Sequence, residues 1–169
     1  GGVAFLFPGQ GSQYPDMLRA VSAHFGVCRE TLSEADAVLR DAFDERFGPG
    51  VRLSHFVLPR GAYGDAERTK AREALTSTDV AQPALGAVEV ALYRLVRSLG
   101  IRPEMLAGHS YGEFVALFAA GTIDFASLMA LSAARGRFIV DAAKAAGSEL
   151  GTMAAVQAPR AIVEQTIAG

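Results

Sequence analysis

The sequence predicts an α/β fold built around a parallel sheet, and three stretches carry that prediction. Val3-Ala4-Phe5-Leu6-Phe7 is a continuous apolar run stopped by Pro8-Gly9, the pattern of a strand buried on both faces and ended by a turn. It is read as a central strand of the sheet. Met105-Leu106-Ala107 is a second short apolar run. The glycine-flanked turn Gly108-His109-Ser110-Tyr111-Gly112 follows it, and then Glu113-Phe114-Val115-Ala116-Leu117-Phe118-Ala119-Ala120, which favours helix. Between the two runs Leu85, Val88, Leu92, Leu95, Val96 and Leu99 recur at helical spacing and stop at Gly100, a residue suited to a C-terminal cap.

The remaining elements follow in chain order. Pro15 suits a first helical turn, and Leu18, Val21, Leu32, Ala35, Val38 and Leu39 keep helix-like spacing. One broken helix or two short ones are expected over residues 16–43. From Phe47 to Thr78 no element is predicted, because Gly48, Pro49, Gly50, Pro59, Gly61 and Gly64 punctuate a stretch with little sustained period. The strongest periodicity predicts a helix over residues 80–99. Asp124 is placed to cap a further helix through Leu128, Leu131, Ala134, Arg135 and Ile139, broken by Gly147 and Gly151. Met153-Ala154-Ala155-Val156 reads as the start of a new strand, and Pro159 opens a last helix through Ile162, Val163 and Ile167.

Composition excludes several classes of function. Half of the 169 residues are apolar and a fifth are charged, the balance of a globular protein with a real core rather than a disordered chain. Sixteen basic residues against eighteen acidic ones leave a net charge of -2, so no broad basic footprint for nucleic acid or anionic lipid exists. The single cysteine, Cys28, has no partner for an intramolecular disulfide and lacks the Cys/His spacing of a metal site. It is expected to be a buried thiol. With no apolar run long enough to span a bilayer and no signal-peptide pattern, a cytoplasmic location is expected. The chain opens on Gly1-Gly2 and is already in a strand-like run at Val3, which predicts a piece cut from a longer polypeptide.

The chemistry centres on Ser110. A serine hydroxyl is a poor nucleophile at neutral pH, so it must be exposed, given a base, and matched with donors for the oxyanion it creates. Gly-x-Ser-x-Gly on a strained strand-to-helix turn meets the first and last of these needs. The flanking glycines allow close backbone approach, and the amide after the serine points at the oxyanion from a helix N-terminus. Here those roles fall to Ser110 and to the N–H of Tyr111. By itself the motif reads equally well as a helix N-cap serine. The apolar run before it and the helix-favouring run after it favour the elbow and a hydrolase-like sheet. The turn Phe7-Pro8-Gly9-Gln10-Gly11-Ser12-Gln13 lacks both the lysine of a P-loop and the third glycine of a dinucleotide fingerprint. Leaving the end of a parallel strand, it is placed to supply a second oxyanion donor.

Four motifs together resemble the malonyl-CoA:acyl carrier protein transacylase family, which includes the acyltransferase domains of fatty acid and polyketide synthases. They are Phe-Pro-Gly-Gln-Gly-Ser-Gln at 7–13, Gln82-Pro83-Ala84-Leu85, Gly-His-Ser-Tyr-Gly-Glu at 108–113, and Ala134-Arg135-Gly136. The resemblance implies Ser110 as the acylated nucleophile, the amides of Gln10 and Tyr111 as the oxyanion hole, and Gln82 close to the site. It implies Arg135 as the clamp on the free carboxylate of a malonyl-type group, a task suited to a guanidinium fork. His109 is read as supporting the elbow rather than as the base, since adjacent side chains on a tight turn diverge. No bound cofactor or metal is implied. Malonyl-CoA or a related acyl-CoA would be the donor, and the phosphopantetheine thiol of an acyl carrier protein the acceptor.

The family's catalytic histidine follows the nucleophile, whereas the histidines here are His24, His55 and His109. The resemblance therefore places the base beyond Gly169, with the rest of the acyltransferase domain and a larger synthase as partners. Residues 1–150 would form the hydrolase-like core, and residues 151–169 would begin a small ferredoxin-like α+β subdomain. Two other readings compete: a proofreading type of serine acyl hydrolase that passes the acyl group to water, and a non-catalytic structural fragment of a synthase. Arg135 counts against simple monoacyl substrates, because an unpaired buried cation facing an alkyl chain is costly.

Overall fold

The structure, a computed structural model, describes residues 1–59, 64–145 and 156–167. Strand β1 (Ala4–Phe7) leads through helices α1 (Arg19–His24), α2 (Gly26–Val38), α3 (Arg40–Phe47), α4 (Leu53–Val57), α5 (Asp65–Thr76) and α6 (Thr78–Ser98) to strand β2 (Met105–Gly108). Helices α7 (Gly112–Ala119), α8 (Phe125–Ala145) and α9 (Arg160–Ile167) follow. The two strands pair in parallel, with Ala4 opposite Met105 and Phe7 opposite Gly108. The expected α/β class holds, with helices outweighing the small sheet.

Helix α6 is the axis of the molecule. It packs on α8 and α2, with α4, α5 and α7 at its flanks. From Asp79 to Ala91 it is buried all round, more than an amphipathic stripe implies, because Ala81, Ala84, Gly86, Ala87 and Ala91 are small enough to admit neighbours on every side. The stripe residue Leu92 is 38% exposed. Asp79, at the start of this helix, pairs with Arg46 of α3 at 2.9 Å, and Arg46 also reaches Asp141 of α8 at 3.1 Å. Three helices are thereby tied at one end. Cys28 is fully buried against α6, and burial pushes its thiol up.

Three expectations are corrected. Strand β1 is covered on one face among the described residues: Phe5 and Phe7 meet Tyr93 of α6, while Leu6 is 76% exposed on the opposite face. Side chains alternate across a strand, so helices on one side bury only every second residue. Residues 16–43 hold parts of three helices rather than one or two, and Pro15 does not start the first. Asp16 takes a left-handed φ of 68°, which separates Pro15 from α1. The stretch from Phe47 to Thr78 contains α4 and α5. Helix α4 is too short to show a period, and α5 buries only Leu75, so neither produces an apolar stripe. The break at Gly147 and Gly151, and most of the strand expected from Met153, lie outside the described residues. The start of α9 agrees with the role given to Pro159, whose carbonyl accepts from Ile162 N–H.

Candidate active site

Ser110 stands between β2 and α7, exposed, with a left-handed φ of 54°. An L-residue rarely adopts that conformation without support from its surroundings. The support is local and tight. His109 N–H donates to Phe7 O at 2.9 Å, joining the elbow to the end of β1, and His109 O accepts from Gly112 N–H at 3.0 Å. A Cβ on Gly9 would lie 2.6 Å from His109 O and 3.0 Å from Ser110 Cβ, so the turn after β1 lies against Ser110. His109 enters both hydrogen bonds through its backbone.

Gln10 follows Gly9 in that turn. Its side chain donates to Thr78 Oγ1 at 3.2 Å and accepts from Gln82 Nε2 at 3.4 Å. Gln82 is 1% exposed and its Oε1 has no hydrogen-bond partner. The structure therefore unites Gln10 with Gln82, and Gly9 with Ser110, across wide sequence separations. Turn and helix bonds occupy the amides of Ser12, Gly112, Glu113 and Phe114. Those of Gln10 and Tyr111 take part in none of these bonds.

Tyr111 turns inward. Its side chain is 1% exposed and its hydroxyl lies 2.6 Å from Ser132 Oγ on α8. Burial pushes the phenol upward, so it stays neutral. Its ring stacks on Phe114 at 6.0 Å, and the half-buried Arg135 guanidinium sits over that same Phe114 ring at 5.7 Å. Among the described residues Arg135 forms no ion pair. Gly136 explains its neighbour's placement: a Cβ there would meet Thr78 O at 2.6 Å, so only glycine lets α8 cross so close to the start of α6. Arg135 is thus held on the side of α8 next to the elbow helix.

Sequence reasoning missed Thr78, Ser132 and Glu89. Ser132 had a faint signal, a hydroxyl one turn before Arg135. Glu89 had a clearer one, a lone acid in the apolar run from Ala84 to Ala91. It is 7% exposed, neither carboxyl oxygen has a partner, and burial lifts its pKa to about 8 from 4.5. The folded protein therefore keeps a proton that the unfolded chain releases near pH 4.5, and stability falls as pH rises from there to about 8, then levels off. At roughly 1.4 kcal/mol per unit the loss amounts to a few kcal/mol. Thermal melts across this range should show the decline in wild type and not in Glu89→Gln. A wild-type melting temperature flat across the window would refute the buried, unpaired state.

Residues 4–168 match the acyl transferase domain family. The chain belongs to that family. Against the malonyl CoA-acyl carrier protein transacylase of Escherichia coli strain K12, the chain is 38% identical over 154 residues, covering 90% of the chain and 42% of the relative. The mycoketide-CoA synthase of Mycobacterium tuberculosis is 36% identical over 167 residues, covering 99% of the chain and 4% of the synthase. The crystal structure of an acyl carrier protein S-malonyltransferase from Vibrio cholerae superposes with a TM-score of 0.66 at 37% identity, over 82% of this chain and 39% of that one. The chain thus spans less than half the length of these relatives. Among the described residues no helix is long and apolar enough to cross a membrane.

Proposed function

We propose that this chain supplies the nucleophile, the oxyanion donors and the carboxylate clamp of an acyltransferase that moves a malonyl-type group from CoA to an acyl carrier protein. The carrying observation is Ser110 itself, exposed in a left-handed turn with the Gly9-Gln10 loop packed against it. Ser110 Oγ attacks the thioester carbonyl, and the oxyanion is received by the N–H groups of Gln10 and Tyr111. Collapse of the adduct breaks the C–S bond, and CoA leaves as the thiol with the proton taken from Ser110. The phosphopantetheine thiol then attacks the acyl-serine ester, and Ser110 regains its proton. No histidine follows Ser110, so the base that shuttles this proton is assigned to polypeptide outside the chain. The same polypeptide would complete the domain, including any ferredoxin-like subdomain beginning near residue 151.

Arg135 supports the choice of a dicarboxylic acyl group. Its guanidinium is oriented by Phe114 and held by no acid among the described residues, leaving its donors for a ligand carboxylate. The test is to expose the protein to malonyl-CoA and seek a malonyl adduct on Ser110 by mass spectrometry, then repeat with acetyl-CoA and with Arg135→Ala. Malonyl loading should fall about 10- to 100-fold in the variant, the worth of a charge-assisted bidentate contact. Acetyl loading should hardly change. Equal use of both donors by wild type would remove the clamp from the mechanism.

A further inference from the structure

Helices α7 and α8 meet through two contacts one helical turn apart. Tyr111, at the N-cap of α7, faces Ser132, and Phe114 faces Arg135; the two members on each helix stand at i and i+3, on one side of it. In the first contact the direction of the hydrogen bond is fixed. Ser132 donates from its hydroxyl to Leu128 O at 2.6 Å, which uses the one proton a serine side chain has. The proton in the 2.6 Å contact with Tyr111 is therefore the phenol's, and Ser132 Oγ accepts it. Both side chains are buried. The phenol also fills the gap to α6, since a Cβ on Gly86 would collide with its oxygen and lie 2.7 Å from Met129 Cε. One oxygen atom thus sits where α6, α7 and α8 converge.

We infer that Ser132 is a positioning residue: by holding the Tyr111 hydroxyl it fixes the span between the oxyanion donors and Arg135, and so selects the length of the acyl group. The inference rests on the acyl-transfer reading given above, in which the Tyr111 N–H receives the thioester oxygen and Arg135 receives the free carboxylate. Tyr111 carries the first of these at its main chain, and its side chain ends on α8 one turn before the second. The Phe114 ring, in contact with both Tyr111 and Arg135, braces the same span. A three-carbon diacyl group has one methylene between its two carbonyl carbons, and a four-carbon group has two. A fixed span matches the shorter and misplaces the longer, and a misplacement of about 1 Å costs about 100-fold in rate. A span free to move accepts both. Ser132 acts on the substrate through Tyr111 alone.

The test offers malonyl-CoA and succinyl-CoA together to the 169-residue protein and reads the ratio of the two Ser110 adducts by mass spectrometry. A ratio taken from one tube does not depend on how much of the protein is folded. Wild type should favour malonyl by about 100-fold. Ser132→Ala, which removes the acceptor, should cut that preference at least about tenfold, the worth of a buried hydrogen bond. Tyr111→Phe, which removes the donor and keeps the ring, should cut it equally, and the double variant no further, because both changes break the same bond. Equal loading of wild type by the two donors overturns the inference and leaves Ser110 as the nucleophile. So does a wild-type ratio in both variants, even beside a lowered melting temperature, since the bond then serves stability alone. If wild type takes up neither donor, the acyl-transfer reading itself fails, and this inference falls with it.

Discussion

Ser110→Ala is expected to eliminate the malonyl adduct altogether while leaving the fold unchanged. Only the hydroxyl group is lost, and Ser110 is exposed. Removal of a nucleophile costs several orders of magnitude in rate because no neighbouring group can take over its covalent role. Ser110→Gly separates chemistry from strain. Both variants lack the hydroxyl, but only glycine relaxes at a φ of 54°. The glycine protein should therefore be about 1 kcal/mol more stable than the alanine protein, and equally inert. Denaturant melts of the two variants, beside mass spectrometry after malonyl-CoA, read both effects. Adduct formation in either variant would assign the acyl group to another residue, and equal stability would remove the claim of backbone strain.

Gly112→Ala is expected to have the largest effect on both fold and site. A Cβ there would lie 2.1 Å from Phe7 O and 2.6 Å from Pro8 O. These are main-chain atoms at the end of β1, so no side chain can rotate out of the way. Relief requires the start of α7 to move off β1, which strains the His109 to Phe7 hydrogen bond and parts the Tyr111 amide from the Gln10 amide. The cost should be about 3 kcal/mol or more, at the upper end of overpacking, together with loss of Ser110 loading. A Gly112→Ala protein that melts and loads like wild type would show that the close approach of β1 and α7 is dispensable.

The elements around Ser110 were legible because the pattern that marks them is local. The strand, turn and helix around Ser110 lie within one short stretch, and α6 announced itself by a period repeated over several turns. Helices α4 and α5 were not legible for the converse reason: one is too short for a period and the other turns a single apolar residue inward. Burial of β1 on both faces was inferred from an apolar run, yet the run records only that both faces are apolar, not what covers them.

Sequence by itself determined which residue is the nucleophile candidate, why glycines flank it, and which family the chain resembles. All of these depend on residue types at short spacings. Only the tertiary structure decided that Gln10 meets Thr78 and Gln82, that Tyr111 turns inward to Ser132, that Gly136 admits α8 against α6, and that Glu89 is buried without a partner. Those contacts join positions far apart in the chain, and their energies depend on desolvation and on the distance of closest approach. Neither quantity exists until the helices have packed.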